Sequence, residues 1–205
     1  MTLGAREHVH AVGAFALYYN DLELTLNRLF QLYVPLGDGP RTFLFFSLNN
    51  RARVDFINRL AADDRDPAKA EAVMFATRCF DIVCENRNLL LHGVPYRTNS
   101  ETLSILKAAS GSKDGMFKSY QFTLAQIQGA ARAAAVTSDY IMSLCEAIDD
   151  QNTANALLPP ELRPTLPDRP LQPSKLTPPP PPKEKQGGKR QPQSRRAKAG
   201  EGPPQ

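Results

Sequence analysis

Residues 67–95 read PAKAEAVMFATRCFDIVCENRNLLLHGVP, and the reading of this stretch decides the fold. Pro67 follows the polar turn Asp63-Asp64-Arg65-Asp66 and suits the first turn of a helix, where its missing N–H costs nothing. Gly93 fits the C′ position and Pro95 prevents continuation, so the spacing predicts a helix from about Pro67 to His92. On a wheel with about 100° per residue and Arg87 at zero, Leu90, Val83, Ala76, Phe80, Leu91 and Cys84 span an arc from about 300° through zero to about 60°. Arg87 therefore lies inside the apolar stripe. Asn88 and His92 fall near 100° and 140°, on the polar side with Asp81 and Glu85. An inward arginine needs a partner, because a buried charge is costly unless paired and hydrogen-bonded.

Toward the N-terminus, Val9, Val12, Phe15, Ala16, Tyr19, Leu22, Leu26, Leu29, Phe30 and Tyr33 recur at three- and four-residue steps. This predicts an amphipathic helix from about Arg6 to Val34, ended by Pro35, Gly37, Gly39 and Pro40. A second helix is expected from about Thr42 to Ala62, with Phe46, Val54, Ile57 and Leu60 facing inward. The first helix carries its own misplaced charge. Glu23 falls among Ala16, Tyr19, Leu26 and Phe30 in the apolar arc, so a Glu23–Arg87 pair is expected, with Glu23 supporting the arginine.

Toward the C-terminus the period changes. Thr102–Ala108 and Phe117–Phe122 read as strands of a small β-hairpin around Gly111-Ser112-Lys113-Asp114-Gly115. Thr123 reads as the N-cap of a last helix through about Ile148. The sequence thus predicts a mainly α domain, a bundle of about four long helices with a β-hairpin before the last one, over residues 1–152. Residues 153–205 are expected to be a disordered, proline-rich basic tail. Residues 159–205 hold 14 of the 18 prolines, and ten Lys/Arg against four Asp/Glu, a net of +6. Residues 1–158 are then slightly acidic, so the basic character of the chain belongs to the tail. Large apolar groups there are too sparse to offset the entropy of ordering, and the run Pro178 to Pro182 favours an extended polyproline helix.

Cys79, Cys84 and Cys145 have neither the number nor the spacing of a disulfide framework or zinc site, and read as buried thiols in a reducing cytoplasm. No apolar run reaches the ~20 residues of a membrane helix. The Ala11–Tyr19 stretch is not read as an export signal, because the helical pattern runs on past it. His8 and His10 point about 200° apart on a helix and read as surface residues rather than metal ligands. No phosphate-loop, dinucleotide, zinc-protease or nucleophile-elbow motif occurs, so no metal or cofactor is expected.

The string Arg87-Asn88-Leu89-Leu90-Leu91-His92, at the end of a long helix and before Gly93, resembles the Arg-x4-6-His signature of the HEPN superfamily. The layout is similar too: a long first helix with an inward Glu, a second helix, the motif helix, a strand insertion and a closing helix. The resemblance covers about 150 residues and leaves out the tail. It implies a homodimer whose two motifs face one cleft, and a metal-independent endoribonuclease that cleaves RNA by 2′-hydroxyl transesterification. His92 would be general acid or base, Arg87 would hold the phosphate, Asn88 would position either, and Glu23 would support Arg87. Many members act as toxins or phage-defence effectors, some with an antitoxin partner. Others do not cleave and serve as nucleotide-binding or protein-interaction modules. The basic tail could add sequence-blind RNA affinity, serve as a ligand for proline-binding domains, or simply solubilise the chain.

Overall fold

The computed structural model describes residues 3–98, 101–108, 117–154 and 164–177. In chain order these form α1 (Leu3–Tyr33), α2 (Asp38–Ser47), α3 (Asn50–Ala62), α4 (Pro67–Leu90), β1 (Val94–Thr98), β2 (Thr102–Ala108), β3 (Phe117–Thr123) and α5 (Leu124–Ala154). The two longest helices, α1 and α5, pack along one another, and α4 closes the bundle against α5 and α3. The core between them is apolar: Phe15, Leu22, Leu26, Leu29 and Phe30 of α1, Ile141 and Leu144 of α5, Val73, Phe80 and Val83 of α4 are all fully enclosed. No described helix is long and apolar enough to cross a membrane. The expected cysteine burial is found at all three positions.

The single helix expected over Thr42–Ala62 is two helices. The chain leaves α2 at Leu48 and restarts at Asn49, whose backbone is extended and whose side-chain oxygen accepts the Ala52 N–H at 2.9 Å. Asparagine is among the best N-cap residues because its short acceptor satisfies an otherwise orphaned donor. The break resets the helical phase. Phe45 is therefore the enclosed aromatic, against Phe30, and Phe46, expected inside, is 55% exposed. Pro40 sits in the first turn of α2, where proline is tolerated.

The β region has one strand more than expected. β1, β2 and β3 form an antiparallel sheet in that order. β2 pairs with β3 from Thr102↔Thr123 to Ala108↔Phe117, and β1 joins the other edge of β2 through an irregular register between Pro95 and Arg97. The glycine-rich turn between β2 and β3 lies outside the described residues. Leu103, Ile105 and Phe122 bury the inner face of the sheet. Thr123 caps α5 as expected and does so reciprocally: its hydroxyl accepts the Gln126 N–H at 3.2 Å, and the Gln126 side chain accepts the Thr123 N–H at 2.9 Å. α5 runs to Ala154, six residues beyond the expected end.

Residues 164–177 have no helix or strand, as expected of the tail, but they are not detached from the body. They lie along α4 and α5, with Pro173 and Leu176 buried. Composition alone predicts no order here, because large apolar groups are sparse. Two kinds of contact seat the segment: Leu176 joins the apolar core, and Asn86 of α4 donates to the Ser174 carbonyl at 3.0 Å and accepts the Leu176 N–H at 2.8 Å.

Candidate functional site

The last turn of α4 carries Arg87 and Asn88; the helix ends at Leu90, and Leu91 as C-cap returns its N–H to the Arg87 carbonyl at 2.8 Å. The turn that follows swings His92 back over the helix end. Arg87 Nη1 lies 2.5 Å from His92 Nε2. A guanidinium has only donors, so His92 Nε2 is the acceptor in this contact. His92 is exposed, Asn88 is exposed, and Arg87 is half-buried with its guanidinium 5.2 Å above the Tyr19 ring. The Arg87 Nε is buried and has no hydrogen-bond partner among the described residues. Structure thus brings together Arg87 and His92, with Asn88 on the same helix end.

Gly93 is required here for a different reason from the one its sequence position suggested. It does not occupy the left-handed conformation of a helix-terminating glycine. A Cβ at this position would stand 2.0 Å from Ile105 Cγ2, so the residue is small because β2 passes directly over the end of α4. That crossing delivers Lys107, whose Nζ donates to the Asn88 carbonyl at 3.0 Å. The C-terminal end of a helix is the negative pole of its dipole. Lys107 and Arg87 place two positive charges at that end. Lys107 had no signal in the sequence, because only the strand pairing brings it to α4.

Glu23 does not pair with Arg87. Its carboxylate accepts a hydrogen bond from Arg53 Nη1 of α3. Arg53 is the more deeply enclosed arginine, its side chain 7% exposed. It also donates to the Phe45 carbonyl at 2.8 Å and to Asn50 Oδ1 at 2.9 Å, and its guanidinium lies 4.2 Å above the Phe45 ring. The network continues inward. Asn50 donates to the Tyr19 hydroxyl at 2.7 Å, and that hydroxyl lies 3.4 Å from Cys84 Sγ. Tyr19 thus has one face against the Arg87 cation and its hydroxyl in the Arg53–Glu23 network. Burial pushes the Tyr19 hydroxyl up, and pushes the Cys84 thiol up to about 11. Neither is an ionised nucleophile near neutral pH, and the thiolate, not the thiol, is the reactive form of cysteine.

Of the two N-terminal histidines, His10 is exposed but His8 is buried in the bundle, contrary to the surface reading. They do point apart. Among the described residues no three His, Cys, Asp or Glu side chains converge as metal ligands would. Two cavities are lined by neither Arg87 nor His92, one of about 630 Å³ between α5 and residues 171–177 and one of about 500 Å³ between α1 and α5.

No family model, curated protein or solved structure matches this chain. Fold and site together define a class by geometry alone: a mainly helical bundle with a three-stranded antiparallel sheet, carrying an arginine–histidine pair at the C-terminal end of its fourth helix.

Proposed function

We propose that this chain is a metal-independent endoribonuclease of the HEPN type, working as a homodimer at the ends of its α4 helices. The observation that carries the reading is the 2.5 Å contact between Arg87 Nη1 and His92 Nε2 on an accessible helix end. An unprotonated imidazole nitrogen beside a fixed cation is what phosphodiester cleavage without a metal needs. The Arg87 guanidinium turns from the imidazole to a phosphate oxygen, for which its planar fork is suited. His92 Nε2, released, takes the proton of the ribose 2′-hydroxyl. The 2′-oxygen forms its bond to phosphorus as the bond to the 5′-oxygen breaks, leaving a 2′,3′-cyclic phosphate. The departing 5′-oxygen takes a proton from a second acid, for which the His92 of a second copy is the natural source. Asn88, exposed beside the pair, would hydrogen-bond the phosphate or the imidazole. Glu23 acts at a distance, through the Arg53–Asn50–Tyr19 chain on which Arg87 rests.

The alternative is a non-catalytic nucleotide-binding or protein-interaction module on the same fold. One observation favours it: Arg87 is half-buried over Tyr19, as an arginine that only fixes helix register would be. Incubating the purified protein with total RNA in excess EDTA, beside His92→Ala and Arg87→Ala, decides between them. Cyclic-phosphate ends from the parent chain, with each substitution lowering the rate by about 10² or more, are expected of the nuclease. Intact RNA with a folded, dimeric parent protein would leave the binding module. A toxic or defensive role predicts that growth arrest on expression disappears with His92→Ala.

A further inference from the structure

Residues 164–177 run the length of α5. The Gln151 side chain near the end of α5 donates to the Pro164 carbonyl at 2.8 Å. Midway, Arg169 pairs with Glu71 at 2.9 Å and its guanidinium lies 5.7 Å from the Phe75 ring centre. At the other end Lys175 pairs with Glu85 at 2.7 Å, and Asn86 holds Ser174 and Leu176 by their backbones. Residues 171–177 there face Gln126, Gly129 and Ala133 of the first turns of α5. The lengths agree. The twelve steps from Pro164 to Leu176 at ~3.1 Å each cover about 37 Å, and the 25 steps from Gln126 to Gln151 at ~1.5 Å each cover about 38 Å.

The consequence is a change of address. Without this seat, the chain beyond Ala154 would depart from the far end of the bundle. With it, the chain departs beside Asn86, the residue next to Arg87. From Thr177 to the first lysine of the basic stretch, Lys183, is six residues, about 19 Å if extended. Residues 183–198 carry seven Lys/Arg against one acidic residue. We propose that residues 164–177 are an anchor that brings this basic stretch to the Arg87–His92 end of α4, where it adds a second contact to single-stranded RNA. The inference rests on the RNA reading of the site and assigns Asn86, Glu71 and Glu85 as positioning residues for the arm. Basic side chains held near a cleft raise affinity through effective concentration and counterion release, with no demand on base sequence.

The test uses the full chain and the variant Pro173→Ser with Leu176→Ser, which removes the two buried contacts of the anchor without changing charge or the helical core. A nitroxide on Lys185→Cys is selective because Cys79, Cys84 and Cys145 are buried. Its broadening of amide resonances is expected near Leu91–Tyr96 and Gln126–Gly129, not near Asp149–Thr153, and is expected to leave the α4 end in the variant. A single-stranded RNA oligonucleotide is expected to bind the variant on the order of tenfold more weakly than the parent at low salt. Equal broadening at both ends of the bundle, or the same pattern in the variant, would overturn the anchor. Correct placement with unchanged RNA affinity would overturn the arm's role. If the parent chain binds no RNA at all, the RNA reading of site and arm falls together, while the relaxation pattern still decides the anchoring.

Discussion

Arg87 and Arg53 show how the same side chain on an inner helix face meets two ends. Arg53 is enclosed and fully used: a carboxylate, a backbone carbonyl, an amide oxygen and an aromatic face surround it. Arg87 has an aromatic face and an imidazole, and among the described residues no carboxylate forms an ion pair with it. The proposed phosphate contact of Arg87 rests on that difference. The same difference predicts that Glu23 matters for stability more than for chemistry. Glu23→Gln strips a buried guanidinium of its counter-charge, and a loss of about 3 kcal/mol is expected, toward the lower end for broken buried pairs because Glu23 itself is partly solvated. The urea midpoint of the variant measures this. A midpoint equal to the parent's would mean that Arg53 is satisfied by Phe45, Asn50 and water alone.

Elements are positioned here by their ends. Asn49 separates α2 from α3, the Thr123–Gln126 box starts α5, and Gly93 lets β2 cross the end of α4. Gly93→Ala is the sharpest probe at this scale. Ile105 is packed in the core and does not retreat freely, so the added methyl is expected to cost about 1–3 kcal/mol by overpacking. Because His92 precedes Gly93, the same change should shift the amide resonances of His92 and Lys107 well before the protein unfolds. A variant with parental stability and an unshifted spectrum would show that the β2 crossing is looser than the close approach indicates.

The whole molecule buries its three thiols, and this has a pH signature. Burial pushes Cys79 and Cys84 up to about 11 and Cys145 up to about 12, from an ordinary 9.0. These groups keep their protons in the folded state at a pH where the unfolded chain has lost them. Stability from this source is therefore fully present below about pH 9 and is lost as pH rises from 9 through 11 and beyond. The buried hydroxyls of Tyr19 and Tyr33 shift in the same direction and extend the loss upward. Denaturation midpoints at pH 8 and pH 10.5 are expected to differ in that sense, and alkylation of the thiols at pH 8 should be slow until urea unfolds the chain. Rapid alkylation of native protein would contradict the enclosed positions.

How much of this was legible in the chain follows from what each kind of signal can carry. Helical periodicity, caps and breakers are local, so α1, α4, α5, the Thr123 cap and the two charges on inner faces were readable by themselves, as was the placement of Arg87, Asn88 and His92 at one helix end. The break at Asn49 was equally local but was masked by apolar residues running through it, and it put Phe45 rather than Phe46 inside. Everything that depended on which surfaces meet was decided only in three dimensions. A wheel shows that Glu23 needs a cation but not which one, and Arg53 of the neighbouring α3 claimed it before Arg87 could. Lys107 reaches Asn88 because β2 crosses α4, and strand pairing has no local code. The seating of residues 164–177 was least visible of all, because composition counts apolar side chains, whereas this segment buries just two, Pro173 and Leu176, and adds backbone bonds to the Asn86 amide.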